Sequence, residues 1–348
     1  MYCCAHCIGD YYLSTADAQA FYSSTTIGTC DYCDSTDEKL VEPERLFDRF
    51  SLFLSIYDES AMGDSLLEMI RYDWPLFQPE KIRVESAMHL LADILDIPDL
   101  KDRRFTVTTR SSKIPVPDWD GLREELLHKN RFFLSSSLDK DEKFETLLQA
   151  LETKPDAVTD KLFRARIMDG TTIFKLSEMG APPPAKATQG RANPSGISYL
   201  YLASDNITAI CELRPHVGDL VCVAEFEIRS CRLIDLRQPR VDASPFKAQS
   251  EEDLLFMRSC LRLLEQLGEE LSHPVRPQTA HIEYVPSQYL CEYIKSRGYS
   301  GVVYRSSLGK GFNVALFDTL IAKAVELKAY SVNKVDVVIE KHNPIEPT

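Results

Sequence analysis

Several groups of residues in this chain have side-chain types and spacings suited to chemistry. Near the start, Cys4-Ala5-His6-Cys7 and Cys30-Asp31-Tyr32-Cys33 form two C-x-x-C pairs. Each pair can present two thiolates on one side of a tight turn. Two such turns complete a tetrahedral sulfur site of the kind that structural zinc takes. Cys3 or His6 could replace one ligand, and a redox dithiol is the alternative chemistry for a single pair. A four-sulfur site leaves no coordination position open, so its expected role is to fold a segment too short to hold itself together.

The second group is Leu162-Phe163-Arg164-Ala165-Arg166-Ile167. Strand alternation puts Arg164 and Arg166 on one face and Phe163, Ala165 and Ile167 on the other. Paired guanidiniums on a strand suit a pyrophosphate, because each can donate two parallel hydrogen bonds to phosphate oxygens; a surface row of ion pairs is the plainer reading. The third group runs from Gln189 to Arg214. A polar turn, Gly190-Arg191-Ala192-Asn193-Pro194-Ser195-Gly196, precedes the apolar run Ile197–Ala203, which reads as a buried strand. Ser204-Asp205-Asn206 then supplies N-cap chemistry for a helix over Ile207–Leu213 that carries Glu212 among apolar neighbours. A carboxylate in that company either points to water or is buried for a purpose. The fourth group is Arg305-Ser306-Ser307, delivered by a buried strand at Gly301–Tyr304. No Ser-His-Asp spacing or nucleophile elbow surrounds these serines.

The elements that must position these groups fall along a chain of 348 residues with a net charge of -13. That length suggests two or three domains. The charge argues against a broad nucleic-acid surface, though a local basic pocket remains compatible with it. No apolar run approaches the length of a membrane span and no leader pattern opens the chain, so a cytoplasmic protein is expected. Cys211, Cys222, Cys231, Cys260 and Cys291 lack paired spacing and read as small buried hydrophobes rather than disulfides.

Residues 38–155 read as all-helical apart from one irregular insertion. Helices are expected within Leu46–Tyr72 and over Glu80–Leu95, Leu122–Phe133 and Phe144–Leu151, with strand character at Phe105–Thr108. Pro155-Asp156 marks a boundary. Beyond it, strands are expected at Gly218–Ile228, Arg232–Leu236 and Asn313–Phe317, and helices at Glu251–Leu271 and Tyr289–Ser296. The alternating tail Val332–Glu340 reads as an edge strand.

The stretch GRANPSG–YLYLA–Glu212 resembles the RES domain family, named for an arginine, a glutamate and a serine. LFRARI upstream and GYSGVVYRSSLGKGFNVALF downstream support the resemblance in the expected order. It implies an α+β fold with an ADP-ribosyltransferase-like split β core over 156–341. It also implies cleavage of NAD at the nicotinamide–ribose bond, in several members as the toxin of a toxin–antitoxin pair. By motif position Arg164, with Arg166 as the alternative, Glu212, and Ser306, with Ser307 as the alternative, take the three named roles. Arg166, Arg191, Asn193, Tyr201, Tyr304, Ser307 and Asn313 stand around the dinucleotide, with Tyr201 or Tyr304 available to stack on nicotinamide. Arg305 replaces the family's proline before the serine. Water, inorganic phosphate or a protein side chain could receive the ADP-ribosyl group.

The helical half resembles the HEPN-type region of longer members, after a zinc segment over 1–37. Arg123/His128, Arg83/His89 and Arg276/His281 all match the HEPN R-x(4–6)-H spacing. Three matches in one chain show how permissive the pattern is, so regulation or oligomerisation is the expected role of that half. The rival readings are a HEPN RNase with a degenerate RES domain, a nucleotide sensor without turnover, and a protein ADP-ribosyltransferase. An antitoxin or other regulatory partner and a homo-oligomer are compatible with the resemblance.

Overall fold

The computed structural model describes residues 1–113, 118–134, 142–153, 158, 161–229, 231–273, 275 and 278–336. Its strands are β1 Cys3–Cys4, β2 Ile27–Gly28, β3 Glu38–Val41, β4 Tyr57–Asp64, β5 Phe105–Val107, β6 Lys161–Ile167, β7 Leu200–Ala203, β8 Leu220–Ile228, β9 Leu233–Asp235, β10 Gly301–Arg305, β11 Phe312–Leu316 and β12 Ala322–Ser331. Its helices are α1 Ala5–Ile8, α2 Phe47–Ser55, α3 Leu66–Asp73, α4 Val84–Leu95, α5 Trp119–His128, α6 Glu142–Ala150, α7 Asn206–Cys211, α8 Pro239–Asp242, α9 Glu251–Ser272, α10 Ala280–Glu283 and α11 Val285–Ser296. This is a mixed α+β chain. It divides into two compact units, residues 1–152 with 235–268, and residues 153–234 with 269–348. The Pro155-Asp156 boundary lies outside the described residues.

In the first unit, Phe50, Phe53, Phe77, Trp74 and Phe246 pack ring against ring. Beside them Asp73, whose side chain is 0% exposed, accepts from Arg258 Nε at 2.6 Å, Arg262 Nη2 at 3.0 Å and Tyr57 Oη at 2.8 Å. α3 opens on a reciprocal cap: the Ser65 hydroxyl accepts from Glu68 N while the Glu68 carboxylate accepts from Ser65 N. The region expected to be all-helical also contains the antiparallel pair β4–β5. β4 lies between α2 and α3, inside the stretch given to helices by its apolar spacing. Its sequence, YDESAMGD, has no helical stripe to bury, and Gly63 lets it pass so close to the backbone of Phe105 that a Cβ there would collide.

The second unit is a seven-stranded sheet in the order β12-β8-β6-β7-β11-β10-β9. Its register sorts the side chains. Leu162, Leu200, Leu202, Ala224, Phe226, Val303, Val314 and Leu316 share one face and form the core with Met179. Phe163, Ala165, Ala203 and Val223 share the other, where α7 packs through Ala209. β6 pairs with β8 over seven residues but with β7 only at Phe163↔Ala203. The sheet opens between β6 and β7. The outer strand is β12 and not Val332–Glu340: Val332 to Asp336 carry no strand, and 337–340 lie outside the described residues. Ala, Glu, Leu and Lys in AKAVELKAYS favour helix locally, and pairing with β8 overrides that preference.

Removing the Asp73 carboxylate would leave Arg258, only 10% exposed, without its counter-ion. Asp73→Ala is therefore expected to destabilise the protein by about 3–5 kcal/mol. The check is a lower urea midpoint at unchanged slope; a loss below about 1 kcal/mol would mean the cluster does not hold this unit together.

Candidate active site

Glu212 lies at the C-cap of α7 rather than inside it. The helix starts where Asp205 Oδ1 accepts from Thr208 N at 2.8 Å, and it stops because Arg214 turns left-handed at φ 50° ahead of Pro215. The stop leaves Glu212 at the open end of the helix, where its carboxylate faces the sheet. Glu212 Oε1 accepts from Ser306 Oγ at 2.7 Å and from Asn313 Nδ2 at 2.6 Å. Oε2 has no partner, and no cation sits within ion-pair distance, among the described residues. Two neutral donors thus hold the carboxylate without cancelling its charge.

The donors come from two places. Asn313 is on β11, opposite Tyr304 of β10 and Ala203 of β7. Ser306 follows β10, and its hydroxyl also accepts from Leu308 N at 3.2 Å and Gly309 N at 2.9 Å. Its proton is committed to Glu212, so it acts on the site through that carboxylate. The turn bearing Ser306 lies against α7 because Gly311 has no side chain: a Cβ there would stand 2.5 Å from Asp205 Oδ2 and 2.7 Å from Thr208 Oγ1.

Beside Glu212 is a cavity of about 400 Å³ lined by Arg164, Gln189, Arg191, Tyr201, Tyr284, Tyr304 and Asn313, among others. Residues from β6, β7, β10 and β11 thus meet in one hollow. The polar turn forms a wall of it. Asn193 Nδ2 donates to the carbonyls of Thr188, Pro194 and Ile197, and Asn193 Oδ1 accepts from Tyr201 Oη at 2.7 Å. Gln288 Nε2 donates to Gly190 O and Asn193 O, and Ser287 Oγ to Arg191 O, tying the turn to α11. Arg191 lines the cavity while donating to the carbonyls of Leu271 and Ser272 at the end of α9.

Arg164 and Arg166 lie with Leu162 on the core face, yet Arg164 borders the cavity at the opening beside β7. Arg164 Nη1 and Arg166 Nη2 both donate to Gly180 O, at 2.7 and 3.2 Å, and Arg166 rests on the Phe174 ring. Neither guanidinium has an acidic partner among the described residues, and the Nε of Arg166 is buried without an acceptor. Burial, with Arg166 beside it, pushes Arg164 down to about 10, so it stays cationic at neutral pH. Ser307 is exposed and outside the cavity lining. Gln189 and Tyr284 are cavity residues that the sequence reading missed; Tyr284 sits at the junction of α10 and α11, where no periodicity marks it.

In the first unit the sulfurs of Cys4, Cys7, Cys30 and Cys33 lie within 4.8 Å of one another, with neighbours at 3.3, 3.6 and 3.7 Å. Cys3 is buried beside them, and Tyr32 ties the second pair to α4 through Asp93 at 2.5 Å. Cys222, Cys260 and Cys291 are buried, Cys211 and Cys231 are partly buried, and all five stand outside any disulfide among the described residues. The HEPN-spaced histidines His89 and His128 are 60% and 58% exposed, each beside an acid one helical turn away. Arg276 lies outside the described residues.

No helix among the described residues is long and apolar enough to cross a membrane. No curated protein matches the chain. A solved structure with partial likeness is the crystal structure of the M. tuberculosis MbcT–MbcA toxin–antitoxin complex, 11% identical, covering 55% of this chain and 93% of that chain at a TM-score of 0.33. Residues 161–339, more than half of the 348, match the family described as RES domain, and the protein belongs to that family.

Proposed function

We propose that the cavity beside Glu212 binds NAD and cleaves its nicotinamide–ribose bond. The observation that carries the reading is the Glu212 carboxylate, held through Oε1 by Ser306 and Asn313, with no partner on Oε2 among the described residues, beside a hollow bordered by Arg164. As the C–N bond breaks, its electron pair leaves with the pyridine nitrogen. Nicotinamide departs neutral, and positive charge develops on the ribose. A fixed carboxylate beside the ribose stabilises that charge, and its free oxygen can accept from the ribose hydroxyls. Arg164, with Arg166, supplies cationic donors for the pyrophosphate. Ser306 and Asn313 are positioning residues, because each acts through Glu212. Water or inorganic phosphate then adds at the anomeric carbon and releases a proton, giving ADP-ribose or its 1″-phosphate. The fold assignment that accompanies this reading is an ADP-ribosyltransferase-like core opened between β6 and β7. The role in the cell is that of a RES-family toxin restrained by an antitoxin or by the chain's own first unit.

We also propose that the four cysteines hold zinc. Tetrahedral zinc–sulfur bonds of about 2.3 Å put the sulfurs about 3.8 Å apart, close to the spacing found here. Cys4, Cys7, Cys30 and Cys33 would be the ligands. When bound, the metal supplies folding free energy to the first segment.

Two measurements test these readings. Free nicotinamide released from NAD should fall by about 1,000-fold or more in Glu212→Ala and by about 10- to 100-fold in Ser306→Ala, the smaller loss reflecting a role through another residue. Undiminished release in Glu212→Ala removes the assignment, and labelled phosphate in the product separates phosphorolysis from hydrolysis. Elemental analysis should find one zinc per chain, lost in Cys7→Ser, with chelator lowering the thermal midpoint. Metal-free protein of unchanged stability would reject the zinc site.

A further inference from the structure

We infer that the Tyr304 hydroxyl is a specificity-determining donor that recognises the carboxamide oxygen of the departing pyridine ring. This rests on the NAD-cleaving reading above. Tyr304 is 4% exposed and lines the cavity, yet its hydroxyl has no hydrogen-bond partner among the described residues. Its cross-strand neighbour is Asn313, which donates to Glu212. The phenol therefore stands beside the residue that fixes the carboxylate. Burial holds it well above the ordinary phenol range, so it is a neutral donor throughout physiological pH.

The other two tyrosines of the cavity are placed differently. Tyr201 spends its hydroxyl on Asn193 Oδ1 and Ala192 N, and offers the ligand only its ring. The Tyr284 hydroxyl is also unpartnered, but that residue is half-buried, where water can serve it. Tyr304 joins a ring held in the core to a hydroxyl that no protein group uses among the described residues. Its hydroxyl is not among the buried side-chain atoms left without a partner, so it opens onto the cavity, where a ligand acceptor can take the place of water. Near the scissile bond, the ribose hydroxyls are donors that suit Glu212 Oε2. On the departing ring itself, the carboxamide carbonyl is the acceptor that suits the phenol. Tyr304 makes and breaks no covalent bond in this role, and its proton stays on the phenol.

The test compares wild type with Tyr304→Phe on NAD and on a dinucleotide whose pyridine bears a methyl group in place of the carboxamide, following release of the base. The substitution should lower kcat/KM on NAD by about 30- to 100-fold and on the methyl analogue by less than about threefold. The analogue's poorer leaving group affects both proteins alike and cancels in that comparison. The thermal midpoint should be unchanged, because the hydroxyl makes no hydrogen bond to the protein among the described residues. Equal losses on the two substrates, or no loss on either, would overturn the inference. If wild type releases no nicotinamide, the NAD-cleaving reading fails separately, and calorimetric binding still decides the hydroxyl's part. A preference for NAD over the analogue that vanishes in Tyr304→Phe supports it, and absence of any preference in wild type overturns it.

Discussion

One carboxylate oxygen organises the second unit. Glu212 Oε1 takes a hydrogen bond from Ser306, beyond the end of β10, and another from Asn313, on β11. Both anchor α7 to strands about a hundred residues later in the chain. The donors are neutral, so the charge survives the contact. An arginine in either place would hold the carboxylate as firmly and cancel much of its field. Neutral donors hold position while leaving the field for whatever enters the cavity.

That arrangement depends on an imperfection in the sheet. β6 and β7 meet at a single residue pair and then part, and the cavity lies beside the opening. Continued pairing would bring Arg164 to Ile167 against β7 and close the gap. The polar turn lines the same cavity through Gly190 and Arg191. Asn193 satisfies three carbonyls of its own loop, and Gln288 fastens that loop to α11. Backbone groups that would otherwise pair across a sheet or face water are served by side chains, as buried irregular backbone requires.

Much of this was legible in the sequence, and the reasons are local. Alternation in LFRARI places its two arginines together, and C-x-x-C spacing marks four sulfurs that the fold brings within 4.8 Å. The run YLYLA and the cap at Asp205 announce a strand and a helix. What escaped depends on tertiary pairing. β4 carries no apolar alternation and β12 reads locally as helix; each exists because a partner strand accepts it. Tyr284 enters the site from a junction between two helices, a place with no period of its own. The commitment of the Ser306 proton to Glu212 is likewise a fact of geometry, invisible to residue type.

The electrostatics of the cavity reconcile an acidic chain with the anionic ligand proposed for it. The net charge of -13 is spread over the whole molecule, but binding responds to the few groups within reach, since exposed charges farther than about 10 Å are screened. Within reach, the charges have a direction. Arg164 and Arg166 share one carbonyl on the core face with no acidic partner among the described residues, while Glu212 sits at the end of α7 on the opposite face. The opening between β6 and β7 lies where these two surroundings meet. The proposed substrate is polarised the same way, with fixed negative charge on its pyrophosphate and positive charge that grows on the ribose only as the bond breaks. In the proposed reaction, attraction at the arginine end would act in the bound state and in the transition state alike and so would contribute affinity. Attraction at the glutamate end would strengthen as the ribose becomes cationic and so would contribute rate. A uniformly basic cleft would bind the dinucleotide and oppose its cleavage.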